Sequence, residues 1–137
     1  MSSTTVLVPE PIKSLDEMIK SCWSRETCHP NQKLIWTPSY PAIGQSDVTA
    51  VAFKDKRGGK ILYFKIQKEE GLFEHYWNEL NGAEYDITRE HLPGIFQQSI
   101  GTGEKIFRIE LVKPDSQFFE RYGLFKEKLD GLLRSSI

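Results

Sequence analysis

The sequence predicts an α+β domain in which an antiparallel sheet of about four strands packs against a central helix. The first observation behind this prediction is a series of segments after residue 60 in which apolar and polar residues alternate, as they do in half-buried strands. The second is Asn81-Gly82, a strong signal for a two-residue hairpin loop, because both positions favour a positive φ. The third is the helical spacing of apolar residues on either side of these segments. Strands joined by hairpins favour the α+β class over a parallel sheet.

Composition and charge limit the classes of partner. The chain has 137 residues, enough for one domain with a single core. It carries 18 basic and 19 acidic residues, a net charge of −1, and no long run of like charge. We therefore expect no nucleic-acid partner and no membrane-binding face. No apolar run is long enough to cross a bilayer, and the N-terminus lacks the features of a signal peptide, which favours the cytoplasm.

The first helix is predicted to begin at Ser14. Residues 1–13 contain two prolines and are expected to form an irregular N-terminal arm, which leaves residues 14–137 as the single domain. Ser14 and Glu17 have the spacing of a capping box. The apolar residues that follow lie at helical intervals on one face: Leu15, Met18, Ile19 and Cys22.

A proline-rich loop and a second helix are predicted next. Three prolines keep residues 25–40 irregular, and Trp36 in this loop either fills the edge of the core or lines a substrate cleft. The second helix begins at Gln45–Ser46 and ends at Gly58-Gly59. Its apolar residues lie on several sides, which is typical of a central helix.

The second half of the chain is predicted to form the sheet and a final helix. Alternation predicts strands over residues 60–67, 73–80, 83–88 and 106–112. A broad apolar face predicts a helix over residues 115–134.

The predicted hairpin would place His75 and Asp86 close together. A two-residue loop pairs Leu80 with Ala83, and counting outward makes His75 and Asp86 diagonal neighbours on the face that also carries Trp77. A register slip of one residue would place them on opposite faces. The carboxylate would fix the tautomer of the imidazole and stabilise its charged form, and the indole would shield their contact from water. A purely structural ion pair is the alternative.

Residue 46 is the candidate nucleophile for this pair. The N–H groups and the dipole at a helix N-terminus stabilise negative charge on a thiolate or an oxyanion. Gln45 and the backbone N–H of residue 46 are candidate oxyanion donors, with Trp36 and Trp77 as further candidates for substrate binding. The alternatives are that Ser46 caps the helix and that Gln45 is a surface turn residue.

Neither a metal nor another cofactor is expected. Cys22 and Cys28 are predicted to be free thiols, and together with His29 they do not match the spacing of a zinc site. Cys28 and His29 are adjacent, and adjacent side chains rarely face each other, so they do not form a convincing nucleophile–base pair.

Several segments resemble the YunG-like family of small bacterial proteins. The resemblance covers about residues 14–95, excludes the last helix, and lies in segments 21–27, 36–37, 41–45, 48–50, 58–59, 75–78 and 85–88. The family pattern is similar to compact papain-like (NlpC/P60-like) thiol enzymes, in which a Cys opens a helix and a His and a polar residue follow on adjacent strands. The resemblance implies a papain-like fold and a cysteine hydrolase or acyltransferase acting on an amide, a peptide or a thioester.

The chain departs from the family pattern at the nucleophile. The family has Cys after Gly-Gln, and this chain has Ser46. We interpret the serine as a Cys-to-Ser exchange that inactivates the site, with a naturally occurring serine as the alternative. The substrate would be a peptide, a protein or a small amide or thioester. Other functions that fit the sequence are a catalytically inactive papain-like binding module and an effector or toxin domain that modifies a protein.

Overall fold

The structure is a computed structural model that describes residues 10–68, 71–94, 104–108 and 116–135. The helices are α1 (Glu10–Ser21), α2 (Ser46–Arg57) and α3 (Ser116–Ser135). The strands are β1 (Lys60–Lys68), β2 (Gly71–Leu80), β3 (Ala83–Tyr85) and β4 (Glu104–Arg108). The strands form one antiparallel sheet in the order β3-β2-β1-β4. This architecture confirms the α+β class.

The start of α1 differs from the prediction. The helix begins at Glu10 and not at Ser14. Pro11 lies in its first turn, where a missing backbone N–H leaves no helical hydrogen bond unmade, so proline is well tolerated there. The predicted arm over residues 1–13 is therefore wrong for residues 10–13. Residues 1–9 of that arm lie outside the described ranges.

The predicted hairpin register is confirmed. Three residue pairs of β2 and β3 match the count from the loop: Asn78 with Tyr85, Glu79 with Glu84 and Leu80 with Ala83. Asn81 and Gly82 have φ values of 53° and 84°, as a two-residue loop of this type requires. The third strand is shorter than predicted and ends at Tyr85, since Asp86 starts a turn into a 3₁₀ segment over Arg89–His91.

The last two elements begin close to their predicted positions. The fourth strand occupies Glu104–Arg108 and begins before the predicted start at Ile106, while the predicted strand residues 109–112 lie outside the described ranges. The last helix occupies Ser116–Ser135 and continues through Gly123 and Gly131. Burial of its apolar face therefore outweighs the low helix propensity of the two glycines.

The core confirms that α2 is the central helix. Val48, Ala50, Ala52 and Phe53 of α2 are all buried. Residues from α1, α2, the sheet and α3 form one apolar cluster that includes Leu15, Ile19, Val48, Ala52, Leu62, Trp77, Phe125 and Leu129. No helix in the described part of the chain combines the length and the hydropathy that a bilayer crossing needs.

Buried polar bonds fix α2 against its neighbours. The Asn78 side-chain amide of β2 donates to the Ala50 carbonyl at 2.9 Å. The indole N–H of Trp23, which follows α1, donates to the Thr49 hydroxyl at 2.9 Å. These bonds fix the rotation and the depth of α2, because each would leave a buried group unsatisfied if the helix slid or turned.

Candidate active site

A tight turn delivers residue 46 to the start of α2. Gly44 has a φ of 73°, and its carbonyl accepts a hydrogen bond of 2.9 Å from the His29 N–H. A Cβ at position 44 would lie 2.4 Å from the Cys28 Sγ and 2.9 Å from the His29 nitrogen. The loop before α2 therefore packs on a surface that only glycine leaves open.

Ser46 is the first residue of α2 and not its N-cap. The N-cap residue is Gln45, which makes no side-chain capping bond. The Ser46 hydroxyl oxygen accepts a hydrogen bond of 3.2 Å from the backbone N–H of Tyr76 in β2. The interpretation of Ser46 as a helix cap is therefore wrong, since its side chain faces the strand that carries His75.

His75 and Asp86 form a partly buried pair. The Nε2 atom of His75 lies 2.7 Å from the Oδ2 atom of Asp86. His75 is 1% exposed, and the side chain of Asp86, which lies just beyond the end of β3, is 17% exposed. The second carboxylate oxygen of Asp86 accepts from the backbone N–H of Arg89 at 3.2 Å and lies 3.3 Å from the Thr88 hydroxyl. These two contacts orient the carboxylate, and the carboxylate fixes the orientation of the imidazole.

Trp77 covers the imidazole on the same face of β2. Its indole ring lies 5.7 Å from the His75 ring, with an angle of 24° between the planes. The indole N–H donates to the Glu84 carboxylate at 2.8 Å, which fixes the ring. The stacked indole restricts the access of water to this side of His75.

Ser46 and His75 line one small pocket. The pocket is partly open to solvent, and its enclosed part has room for about one water molecule. The other lining residues are Gln32, Ala42, Gly44, Glu74, Thr88 and Leu92. Because Nε2 of His75 is bound to Asp86, an exchange of protons with residue 46 would use Nδ1.

Gln45 and Trp36 lie elsewhere. Gln45 is 0% exposed, so its interpretation as a surface turn residue is wrong. Its side-chain amide donates to the Ser24 carbonyl at 2.7 Å and accepts from the Thr27 hydroxyl at 2.7 Å, and it does not line the pocket. Trp36 packs at the edge of the core, where its indole N–H donates to the Pro41 carbonyl at 2.9 Å. Neither side chain reaches the pocket beside residue 46.

Two features of the site were missed from the sequence. Gln32 lines the pocket from a short 3₁₀ segment, Pro30–Gln32, whereas Gln45 does not line it. Arg121 of α3 forms a buried ion pair with Asp47, the residue that follows Ser46. No local pattern indicates a contact between residues 47 and 121, which are far apart in sequence.

The two cysteines are buried free thiols. Burial raises the pKa of both Cys22 and Cys28 to about 11, so both remain protonated near neutral pH. The Nδ1 atom of His29 accepts a hydrogen bond of 3.1 Å from the backbone N–H of Asn31. Within the ranges that the structure describes, no group of three or more His, Cys, Asp or Glu side chains could hold a metal ion.

The fold and the site define an α+β protein with a buried histidine, bonded to an aspartate, beside the N-terminus of its central helix. A sequence profile described as YunG protein matches residues 11–134, and the chain belongs to this YunG family. The match continues through most of α3, so the prediction that the last helix lies outside the resemblance is wrong.

A relative from Bacillus subtilis (strain 168), the uncharacterized protein YunG, is 40% identical over 73 residues. These residues are 53% of this chain and 56% of the relative, so the match spans about half of that curated protein. No solved structure matches the chain.

Proposed function

We propose that this chain has the apparatus of a papain-like cysteine hydrolase or acyltransferase, with the nucleophile at position 46, His75 as the base and Asp86 as the residue that orients it. The observation that carries the proposal is that His75, which is bonded to Asp86, lines one pocket with residue 46 at the N-terminus of α2. The substrate would be a peptide, a protein or a small amide or thioester.

The proposed chemistry starts from a thiol at position 46. His75 takes the thiol proton, and the thiolate attacks the carbonyl carbon of the substrate. The carbonyl π electrons move to oxygen, and this oxyanion is stabilised by the N–H of residue 46 and by the Gln32 amide on the pocket wall. The bond to the leaving group then breaks, and His75 returns the proton to that group. Water or an amine finally takes the acyl group from sulfur and regenerates the thiol.

The serine at position 46 lacks the acidity that this mechanism uses. A cysteine thiol has an ordinary pKa of about 8.5, and an imidazolium and a helix N-terminus lower it into the neutral range. A hydroxyl is far less acidic and must lose its proton during the attack. We therefore expect the chain with Ser46 to bind substrate and to turn over little, whether the serine is natural or replaces a cysteine.

The test is the reactivity of a thiol introduced by Ser46→Cys, measured as its rate of alkylation by iodoacetamide across pH. Cys22 and Cys28 are replaced by alanine so that the measured alkylation comes from the thiol at position 46 alone. We expect fast alkylation below pH 7 that His75→Ala slows, because an imidazolium favours the thiolate. An alkylation rate that rises with pH as for an ordinary thiol, and that is unchanged by His75→Ala, would refute the proposal.

A binding module is the second candidate, and one observation favours it. The Ser46 hydroxyl already accepts a hydrogen bond from the Tyr76 N–H, so serine is a well-satisfied residue in this pocket. If the scaffold only binds, Ser46→Cys gains no thiol activation. The same alkylation profile therefore separates the two candidates.

A further inference from the structure

Helix α3 places a buried charge against the first turn of α2. The Arg121 guanidinium makes two bonds to the Asp47 carboxylate, Nη2 to Oδ2 at 2.5 Å and Nη1 to Oδ1 at 3.2 Å. Nη1 also donates to the Thr27 carbonyl at 3.1 Å. Arg121 and Asp47 are 6% and 7% exposed. One guanidinium thus joins α3, the turn over residues 24–27 and the residue next to Ser46.

Stability alone is a weak reason to bury such a pair. Removing two charges from water is costly, and well-packed apolar residues often replace a buried ion pair without loss of stability. The guanidinium Nε has no hydrogen-bond partner, so even here its polar groups are not all satisfied. The pair therefore calls for a role besides stability.

The charges of the pair act on a thiol beside the turn that leads to residue 46. Burial raises the pKa of the Cys28 thiol to about 11, Arg121 opposes that rise, and Asp47 adds to it. Cys28 lies against Gly44, on the far side of the turn that leads to residue 46. Residue 46 is bonded directly to Asp47, so we expect the two opposed charges to act on it as well.

We propose that Arg121 is a positioning residue of this site, which holds the first turn of α2 through Asp47 and cancels the charge of that carboxylate beside residue 46. The inference rests on the function proposed above. Without Arg121, the Asp47 carboxylate would oppose the N-terminal field of α2 at the position where a thiolate must form.

Other charged groups surround the same position. Glu74 and His75 line the pocket from β2, and Asp86 approaches from the end of β3. Arg25 and Lys33 act on the Cys28 thiol from the loop before α2. All of these groups are the same in every variant compared below, so differences between variants report on the Arg121–Asp47 pair.

The test measures the alkylation profile of the thiol introduced by Ser46→Cys, with Cys22 and Cys28 replaced by alanine. Arg121→Met leaves the Asp47 charge unbalanced, and the profile should move to higher pH by about one unit. Asp47→Asn leaves the Arg121 charge unbalanced, and the profile should move to lower pH by a similar amount. The double variant Asp47→Asn/Arg121→Met should return close to the parent.

The matched control is Lys56→Met, which removes the other ion pair between α2 and α3. Lys56 Nζ lies 2.7 Å from Asp130 Oδ1, near the opposite end of α2. This variant loosens the same helix contact but should leave the profile unchanged. A purely structural role for Arg121 predicts instead that both single variants weaken thiol activation in the same direction.

The outcomes separate the two proposals. An ordinary thiol profile in the parent would overturn the proposed function and this inference with it. If the thiol is activated but its alkylation profile is the same in Arg121→Met and Asp47→Asn as in the parent, this inference alone is overturned. A profile that shifts in the same direction in both variants would also overturn it. If Arg121→Met does not fold, the inference requires that Asp47→Asn moves the alkylation profile to lower pH. It also requires that the double variant reverses this shift.

Discussion

Replacing Gly44 by alanine should destabilise the chain more than the same change at a glycine of similar φ. Gly44 and Gly82 have φ values of 73° and 84°, so each substitution forces a residue with a Cβ into the left-handed region, at about 1–2 kcal/mol. A Cβ at position 82 meets nothing within 4 Å, whereas at position 44 it lies 2.4 Å from the Cys28 Sγ. Overpacking of this kind costs about 1–3 kcal/mol more.

The assay is urea denaturation of both variants. We expect Gly82→Ala to lose about 1–2 kcal/mol of unfolding free energy and Gly44→Ala to lose about 2–5 kcal/mol. Combining Gly44→Ala with Cys28→Ala removes the sulfur from the contact, so the double variant should lose less than the two single losses together. Equal losses for Gly44→Ala and Gly82→Ala would refute the close packing of the turn that positions residue 46.

Two further predictions concern the thiols and the contact between α2 and α3. Because burial raises the pKa of Cys22 and Cys28 to about 11, neither should react with a thiol reagent at pH 8 until the chain unfolds, and fast labelling of the folded chain would contradict their burial. Hydrogen bonds from Lys56 and Lys126 lower the pKa of Asp130 from 3.8 to about 2, so the folded chain binds this proton less tightly than the unfolded chain. The resulting stability is present above about pH 4 and is lost as the pH falls toward 2. Melting temperatures measured over this range should depend less on pH in Lys56→Met than in the parent, and an identical dependence would contradict this account.

Local chemistry made the hairpin predictable. Asn81-Gly82 specified both the loop and its register, and the register specified that His75 and Asp86 would meet. The end of β3 was not predictable from alternation, because Asp86 satisfies the N–H of Arg89 and starts a turn. The side-chain pairing survives this difference, since a carboxylate just beyond the strand still reaches the imidazole.

Contacts between distant segments were not predictable. In the sequence, Gln32 falls in the proline-rich loop and Gln45 at the start of the second helix, and only the folded turn decides which one lines the pocket. Arg121 looks like a surface residue of an amphipathic helix, and its partner Asp47 looks like an ordinary acidic residue in a first helical turn. Their pairing depends on how α3 packs across α2, which no local pattern encodes.

The central claim is that His75 and the N-terminus of α2 stabilise a thiolate at position 46. The most direct measurement is the ultraviolet absorbance of the thiolate in Ser46→Cys, titrated across pH with Ser46→Ala as the blank and His75→Ala as the comparison. The account predicts a thiolate already present below pH 7, with a midpoint well under the ordinary value of about 8.5, and a return toward that value in His75→Ala. A midpoint at the ordinary value in both proteins would contradict it.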